Sequence, residues 1–436
     1  MGLRRVDLRG LDGRLRLHEA LAHPVGDQDR SPGPVQEPVE DVLAEVRQDG
    51  DSALRRLTQR FDGVAVDELR VAPTAVTAAL DRIPDALRDA LEVAHERILA
   101  YHAHESGGKE PDDFESGGIT VRHLRRPVER AGCYAPGGRA RYPSTVLMCA
   151  VPARVAGVDR IVLCVPPAAD GHIDDASLAA AALAGVDEVY RVGGAQAIAA
   201  MAFGTESIEP VDVIVGPGNR FVAEAKRQVS GLVGVPSAFA GPSEVVVVAG
   251  PGTPPEFAAI DLVVQAEHGP DGAAWLVTWS EEVADAVEHD VERLVRRSPR
   301  RADLEATLGT GGHVVMVEGP EQACAVANIV APEHLELLTD DADTLLPLID
   351  AAGAVFLGPM SPASVGDYLA GPNHILPTNR SARFSSALRV DDFWRHIHAV
   401  TVTESALETL GPAVVTLAEA EGLHAHAESV RVRWPG

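Results

Sequence analysis

The sequence has few cysteines, lysines and aromatic residues, and it contains no long apolar run. Its four cysteines form no CxxC pair, so nothing indicates a disulfide framework, and a reducing cytoplasm is the expected compartment. The amino terminus lacks the continuous apolar segment of a signal peptide, and no segment is typical of a membrane span. These absences predict a cytoplasmic protein that has no membrane partner.

Basic residues are also scarce. The chain has 38 lysines and arginines against 64 aspartates and glutamates, which gives a formal net charge of −26. This charge argues against a nucleic-acid partner, because binding to phosphate backbones needs a basic surface. An anionic cofactor needs only a local site and is compatible with the charge.

Length and pattern predict at least two α/β units. A chain of 436 residues exceeds the usual size of one domain. Apolar runs typical of buried strands alternate with helical segments, which favours parallel, doubly wound sheets. The predicted strands are 161–165, 188–192, 211–215, 245–248, 275–279, 314–317 and 354–357. The predicted domains are an N-terminal segment (1–30), a larger α/β domain (31–131 with 244–385), a nucleotide-binding α/β domain (132–243) and a C-terminal helical tail (386–436).

Three glycine-rich stretches, at 130–138, 192–196 and 215–219, are candidates for a nucleotide site. The first is interpreted as a turn-rich loop, and the other two join a strand to a helix. Glycine lets backbone N–H groups approach phosphate closely, and open α/β sheets bind ligands outside the carboxyl ends of their strands. None of the stretches is a GxGxxG fingerprint, so ordinary strand-to-helix turns explain them equally well.

Several polar residues are candidate metal ligands. Gln265 and His268 are three residues apart at the end of an apolar helix, which places them on one face. An imidazole there can bind zinc, although a polar helix end is the simpler reading and glutamine is an uncommon zinc ligand. Asp367 could be a ligand or a helix cap. In the tail, His424 and His426 should not share a helical face, and periodicity does not choose between them.

The adjacent residues Glu333 and His334 are a candidate acid–base pair. They follow Pro332, which predicts a helix start with Glu333 in its first turn. A glutamate that merely stabilises the helix dipole is the alternative reading. His334 can accept a proton near neutral pH, and Glu333 can activate water. Cys133 and Cys149 are conceivable nucleophiles, but we expect them to be buried and inert.

In chain order, nine segments resemble those of the histidinol dehydrogenase family, and the resemblance covers roughly residues 35–430. The segments are Gly193-Gly194-Ala195-Gln196, Gly216-Pro217-Gly218-Asn219, Ala240-Gly241-Pro242-Ser243-Glu244, Gln265-Ala266-Glu267-His268-Gly269, Ala331-Pro332-Glu333-His334-Leu335, Gly366-Asp367-Tyr368, Asn373-His374, Leu376-Pro377-Thr378 and Glu421-Gly422-Leu423-His424-Ala425-His426. The stretches Asn379-Arg380 and 235–238 depart from the family pattern, beside the matched chemistry rather than in it.

The resemblance implies a zinc-dependent, NAD-linked oxidation of L-histidinol to L-histidine through the aldehyde, the last step of histidine biosynthesis. It implies two Rossmann-like, aldehyde-dehydrogenase-like sheets with small terminal helical segments. It also implies a homodimer of intertwined subunits, in which the tail of each subunit reaches the active site of the other. Each subunit would bind one Zn²⁺, and the implied ligands are Gln265, His268, Asp367 and His426. The family pattern therefore selects His426 over His424.

The resemblance also assigns contacts and catalytic roles. The implied NAD contacts are Tyr134, Gln196 and Asn219. The implied substrate contacts are Ser243, His334, His374 and Glu421, together with the zinc ligands. His334 would take the alcohol proton while hydride passes to NAD, and it would act again in the second oxidation. Glu333 would activate water for attack on the aldehyde.

Three rival functions fit parts of the pattern. A related NAD-dependent dehydrogenase could act on another small amino alcohol or diol, although an anionic substrate would need extra cationic residues and the carboxylate of Glu421 argues against one. A zinc hydrolase without a nucleotide would leave Tyr134 and the glycine stretches unexplained. A non-catalytic relative would leave the acid–base pair without a role.

Overall fold

The computed structural model describes residues 2–11, 13–25, 35–108, 113–137, 141–236, 243–267, 269 and 272–433. The strands are β1 (Arg4–Asp7), β2 (Phe114–Ser116), β3 (Ile119–Pro127), β4 (Arg130–Tyr134), β5 (Arg160–Val165), β6 (Glu188–Arg191), β7 (Val213–Val215), β8 (Glu244–Ala249), β9 (Ala273–Thr278), β10 (Gly312–Met316), β11 (His334–Leu338), β12 (Ala354–Leu357) and β13 (Trp394–Val402). The helices are α1 (Arg14–Val25), α2 (Gln36–Asp62), α3 (Pro73–Arg82), α4 (Asp85–Ser106), α5 (Pro143–Ala156), α6 (Asp175–Leu183), α7 (Gly194–Phe203), α8 (Arg220–Val229), α9 (Pro255–Ala266), α10 (Glu281–Arg297), α11 (Arg301–Gly311), α12 (Pro320–Val330), α13 (Ala342–Leu345), α14 (Ala363–Tyr368), α15 (Glu404–Ala420) and α16 (His424–Arg431).

The larger sheet has six parallel strands in the order β1-β10-β9-β8-β11-β12. Its central strands are continuous apolar runs, as expected for strands that are covered on both faces. Helices α9, α10 and α11 cover one face, and α1 and α12 cover the other. Strand β1 was not predicted, because four residues with three charges carry little strand signal.

The second sheet has four parallel strands in the order β6-β5-β4-β7. The chain passes from β4 outward through β5 to β6 and then returns to place β7 on the other side of β4. The strand order therefore reverses between β4 and β7, which is where open α/β sheets bind their ligands. The stretch that begins at Arg130 was interpreted as a turn-rich loop, and this was wrong for Arg130–Tyr134, which form the central strand β4.

The helices that precede the four-stranded sheet in the chain pack onto it. Helix α2 lies on α7 and α8, while α3 and α4 lie on α6 and α5. The division of the chain into domains at residues 131 and 243 stays a prediction. Both sheets are parallel and covered by helices on their two faces, so the α/β fold class and the doubly wound sheets are confirmed.

The carboxyl-terminal region leaves the two main sheets. Strand β13 pairs along its whole length with β3 in an antiparallel sheet that also includes β2. Helices α15 and α16 then pack on each other. The segment 386–436 was expected to be helical, and it contains this nine-residue strand as well. Among the described helices, none has the length and the apolar composition needed to cross a membrane.

Candidate active site

Glu333 and His334 lie at the amino end of β11, which pairs with β8 on one side and with the edge strand β12 on the other. Helix α12 ends at Val330, Ala331 takes a left-handed conformation with φ of 50°, and the chain then enters the strand. The prediction of a helix start at Pro332 was wrong, because this proline follows a helix end and leads into a parallel strand that pairs on both sides. Both side chains are buried, at 8% and 4% exposure.

The carboxylate of Glu333 receives two hydrogen bonds from the start of the neighbouring strand β8. The hydroxyl of Ser243 donates to Oε2, and the backbone N–H of Glu244 donates to the same oxygen at 3.3 Å. Glu244 itself is buried beside this carboxylate, and burial together with the charge of Glu333 raises the pKa of Glu244 to about 8. These contacts fix the orientation of the Glu333 carboxylate at the amino ends of β8 and β11.

The imidazole of His334 lies between two carboxylates. Its Nδ1 is 3.8 Å from Oε2 of Glu333, and its Nε2 is 3.4 Å from Oδ1 of Asp367. Burial opposes a charge on the ring, but the carboxylates of Glu333 and Asp367 outweigh it and raise the pKa of His334. The ring is therefore a stronger base than an exposed histidine.

The four proposed zinc ligands differ in their placement. Gln265 is buried in the last turn of α9, and no hydrogen-bond partner reaches its amide nitrogen within the described residues. Asp367 is the fifth residue of α14, not its cap, so the reading of this residue as a helix cap was wrong. His268 lies outside the described residues, and His426 is exposed on α16.

Helices α9 and α14 are joined through β11. Asp261 of α9 hydrogen-bonds to the carboxyl group of Glu336, and Oε1 of Glu336 accepts from the backbone N–H of Ala363 at 2.9 Å. The described residues contain no group of three His, Cys, Asp or Glu side chains placed to bind a metal. The buried amide of Gln265 without a partner and the carboxylate of Asp367 nevertheless fit a zinc site that other residues complete.

His374 is held by two hydrogen bonds in the loop that follows α14. Its Nδ1 is 2.7 Å from the carbonyl oxygen of Asp367, and its Nε2 is 3.3 Å from the hydroxyl of Thr145. A carbonyl can only accept, so Nδ1 carries the proton, and in the neutral ring Nε2 accepts from Thr145. Burial lowers the pKa of His374, which favours this neutral form.

Glu421 and His426 do not join these residues within one chain. Glu421 follows the last residue of α15, and His426 is the third residue of α16; both side chains are exposed. The interpretation of this stretch as a solvated helix end therefore holds for a single chain.

A separate cavity of about 1120 Å³ lies at the carboxyl ends of β4 and β5. Tyr134, Gln196 and Asn219 all line it. The Tyr134 hydroxyl accepts a hydrogen bond from the backbone N–H of Gly194, and the Asn219 side chain caps α8 through the N–H groups of Phe221 and Val222. The cavity lies where the order of the strands reverses, and a dinucleotide is expected to bind at this place in an open α/β sheet.

The backbone packs closely below this cavity. Gly216 follows β7 with φ of 109°, and a Cβ at this position would lie 2.0 Å from the carbonyl oxygen of Tyr134. Only glycine fits there, so this residue of the 215–219 stretch has a steric role in joining the loops after β4 and β7.

The cysteines take no part in either site. All four are buried and free. A hydrogen bond to Cys149, followed by burial, raises the pKa of Cys133 well above its usual value, and burial raises the pKa of Cys164 to about 12. The expectation that Cys133 and Cys149 are buried is confirmed, and the raised pKa of Cys133 disfavours its thiolate.

Comparisons with known proteins agree with one another. The histidinol dehydrogenase family model matches residues 27–434. The histidinol dehydrogenase of Parasynechococcus marenigrum is 50% identical over 92% of this chain and 91% of its own length, and that of Gluconobacter oxydans is 47% identical over 94% of each. The crystal structure of histidinol dehydrogenase from Elizabethkingia anophelis superposes with a TM-score of 0.91 at 36% identity and covers 99% of this chain and 98% of that chain.

The chain belongs to the histidinol dehydrogenase family. The family prediction is confirmed, and with it the prediction of an NAD-linked, zinc-dependent oxidoreductase of histidine biosynthesis. The rivals of a zinc hydrolase and a non-catalytic protein are thereby set aside.

Sequence reasoning missed four residues that support the histidinol dehydrogenase site. Thr145 contacts His374, Glu244 contacts Glu333, and the pair Asp261 and Glu336 joins the elements around Asp367. Thr145, Asp261 and Glu336 are polar residues within apolar helices or strands, which was the available signal. Glu244 stands within a matched segment, but its role depends on pairing between β8 and β11, which the sequence does not show.

Proposed function

We propose that Glu333 and His334 carry out the reaction of the family, the four-electron oxidation of L-histidinol to L-histidine through histidinaldehyde. The observation that carries this proposal is the position of the buried His334 imidazole between the carboxylates of Glu333 and Asp367. The neighbouring carboxylates favour the protonated ring, so Nε2 of His334 is suited to take the proton of the substrate hydroxyl. The same nitrogen would take the second hydroxyl proton, from the aldehyde hydrate.

Glu333 is the proposed base for hydration of the aldehyde. The donors Ser243 and Glu244 hold one oxygen of its carboxylate, and this fixes the direction in which the carboxylate can accept a proton from water. Ser243 is also a proposed substrate contact. Since the hydrate forms only after the first oxidation, Glu333 acts between the two oxidation steps.

The proposed zinc ligands are Gln265, His268 and Asp367 of one chain with His426 of a second copy. Zinc bound there, one ion per subunit, orients the amine and the imidazole of the substrate. Asp367 would then both bind the metal and face His334. His374, whose ring is held by the carbonyl oxygen of Asp367 and by the hydroxyl of Thr145, is a proposed substrate contact beside Asp367. Glu421 of the second copy would hydrogen-bond the polar substrate.

NAD is the proposed ligand of the cavity beside the four-stranded sheet, with Tyr134, Gln196 and Asn219 as contacts. When bound, NAD accepts the hydride in each of the two oxidations. The buried amide of Gln196, whose nitrogen has no partner among the described residues, is available to the cofactor. Asn219 orients the start of α8, whose backbone N–H groups favour a phosphate.

A homodimer with shared active sites is part of this proposal. The outer side of α15 exposes Leu410, Val414 and Leu417 at 40%, 43% and 65%. These residues follow one another at spacings of four and three, so they form one apolar stripe that a partner can cover. The exposed side chains of Glu421 and His426, which join no metal-binding group among the described residues of their own chain, would enter the site of the second copy.

The other proposed properties concern the cell. Four buried free cysteines fit a reducing compartment, which supports the cytoplasm as the location. L-Histidinol is the proposed small-molecule partner, and the acidic chain is not expected to bind nucleic acid.

The deciding experiment measures NADH formed from L-histidinol by the zinc-loaded enzyme. Two NADH per histidinol, lost on chelation and restored by zinc, would support the proposal. Absence of NADH from a folded, zinc-loaded dimer would refute histidinol as the substrate. Faster reduction of NAD with another amino alcohol or with a phosphorylated diol would favour the related dehydrogenase instead.

A further inference from the structure

The carboxylate of Asp62 is placed unfavourably for the stability of the free protein. Asp62 is the last residue of α2, where the negative end of the helix dipole opposes a second negative charge. Its Oδ2 is buried, and no donor reaches it in the part of the chain that the structure describes. Burial raises the pKa of Asp62 to about 6. A carboxylate held in this way suggests a ligand that supplies the missing donors.

The surroundings of Asp62 identify the site of that ligand. Asp62 lines the cavity of about 1120 Å³ together with Tyr134, Gln196 and Asn219. It lies close enough to Tyr134 that its charge adds to burial in raising the pKa of the phenol to about 12. The carboxylate thus belongs to the wall of the proposed NAD cavity, beside one of the proposed NAD contacts.

The position of Asp62 in this wall indicates which half of NAD it meets. The described lining of the cavity contains no residue of the six-stranded sheet, whose strands β8 and β11 carry Glu244 and His334. The nicotinamide ring has to approach those strands, because it receives the hydride from the substrate. Helix α2, which supplies the wall that holds Asp62, packs instead on α7 and α8 of the four-stranded sheet. We therefore assign this wall to the adenosine half.

The adenosine half of NAD offers the donors that a carboxylate needs. Its ribose carries two neighbouring hydroxyl groups, and a carboxylate can accept a hydrogen bond from each. NADP differs by a phosphate on one of these hydroxyls, which removes a donor and adds negative charge. Arg60 and Arg141 also line the cavity and can serve the shared pyrophosphate.

We propose that Asp62 accepts hydrogen bonds from the hydroxyls of the adenosine ribose and thereby selects NAD over NADP. This inference rests on the proposed function, in which the cavity binds NAD. It adds a specificity-determining residue to the three contacts that the family pattern supplied.

The test compares Asp62→Asn with Asp67→Asn in the zinc-loaded enzyme. Asp67 is an exposed aspartate five residues further along the chain, so its variant changes the net charge equally. Calorimetry would measure binding of NAD and, separately, of NADP to each variant and to the wild type. Thermal unfolding without cofactor would be followed in parallel.

We expect Asp62→Asn to weaken NAD binding by about tenfold or more, since hydrogen bonds to a charged group are lost. NADP binding should be unchanged or stronger, and Asp67→Asn should match the wild type. Without cofactor, Asp62→Asn should unfold at the same temperature as the wild type or higher, because a neutral amide replaces a carboxylate whose buried Oδ2 has no donor among the described residues.

Three results would overturn the inference. They are unchanged NAD binding in Asp62→Asn, an equal loss of NAD and NADP binding, and lower stability of the cofactor-free variant, which would mark Asp62 as structural. Wild-type enzyme that binds no NAD would refute the cofactor site itself, and this outcome is distinct because it needs no variant.

Discussion

Asp261 and Glu336 form a hydrogen-bonded pair of buried carboxyl groups between α9 and β11. Two ionised carboxylates cannot share a hydrogen bond, so one of them holds a proton. Burial, followed by the charge of Asp261, raises the pKa of Glu336 well above the usual value of a glutamate, so we place the shared proton on Glu336 at neutral pH. Oε1 of Glu336 accepts from the backbone N–H of Ala363, so the pair connects α9 to α14.

This pairing predicts opposite outcomes for two substitutions of Glu336. Glutamine keeps both an acceptor for Ala363 and a donor for Asp261, so Glu336→Gln should retain wild-type stability at pH 7. Glu336→Leu leaves Asp261 as an unpaired buried charge and should cost about 3–5 kcal/mol. Urea unfolding followed by circular dichroism measures both. Equal loss in the two variants would show that the proton is not on Glu336.

Acid should destabilise the protein through His313. This side chain is stacked on Trp275 with ring centroids 4.0 Å apart, and burial lowers its pKa to about 4. The unfolded chain binds a proton near pH 6.5 and the folded protein does not, so stability falls as the pH drops from about 6.5 to about 4. The loss attributable to His313 should reach about 3 kcal/mol.

The His313→Gln variant isolates this contribution. Its stability should depend less on pH over the same interval, since glutamine does not titrate. Urea midpoints at several pH values supply the comparison, and parallel curves for the variant and the wild type would contradict the assignment.

The acid–base pair predicts different defects for its two members. His334→Ala should slow oxidation of both histidinol and histidinaldehyde by about 10²–10⁴-fold, because both steps lose the same base. Glu333→Gln should slow the aldehyde step more than the alcohol step. Stopped-flow measurement of NADH from each substrate separates the steps, with zinc content as the control. Equal damage by Glu333→Gln to both steps would count against its role in activating water.

Shared active sites predict complementation between inactive variants. His334→Ala impairs the site of its own chain, whereas His426→Ala impairs the site that its tail would enter. A mixed dimer of the two then has one intact site, so random mixing should restore about a quarter of wild-type activity. Activity after denaturation and refolding of the mixture provides the measurement. A mixture no more active than its components would place each tail in its own chain.

The sequence predicted most of the fold where periodicity is strong. The apolar runs that became β5, β9 and β10 stood out, because strands buried on both faces need continuous apolar residues. Strands β1 and β13 were missed, since their charged and half-exposed residues gain strand structure only from a partner far away in the chain. The prediction at Pro332 was wrong for another reason, because a proline is compatible both with a helix start and with the turn before a strand.

The site was predictable in its members but not in its geometry. The matched segments named Glu333, His334 and Asp367, and the structure brings these three together. The contacts of Thr145 with His374 and of Glu244 with Glu333 join residues 229 and 89 positions apart. No local pattern encodes such pairs, because they depend on how the elements pack.

Glu333 and His334 lie on the side of the six-stranded sheet where its parallel strands begin. No chemistry has been assigned to the opposite side, where these strands end. The turn after β8 lies on that side, and Pro251 within it is exposed. A fluorophore or a surface tether attached there would stand one strand length from the reacting groups. The enzyme could thus be immobilised or tracked through that side while both oxidations proceed undisturbed.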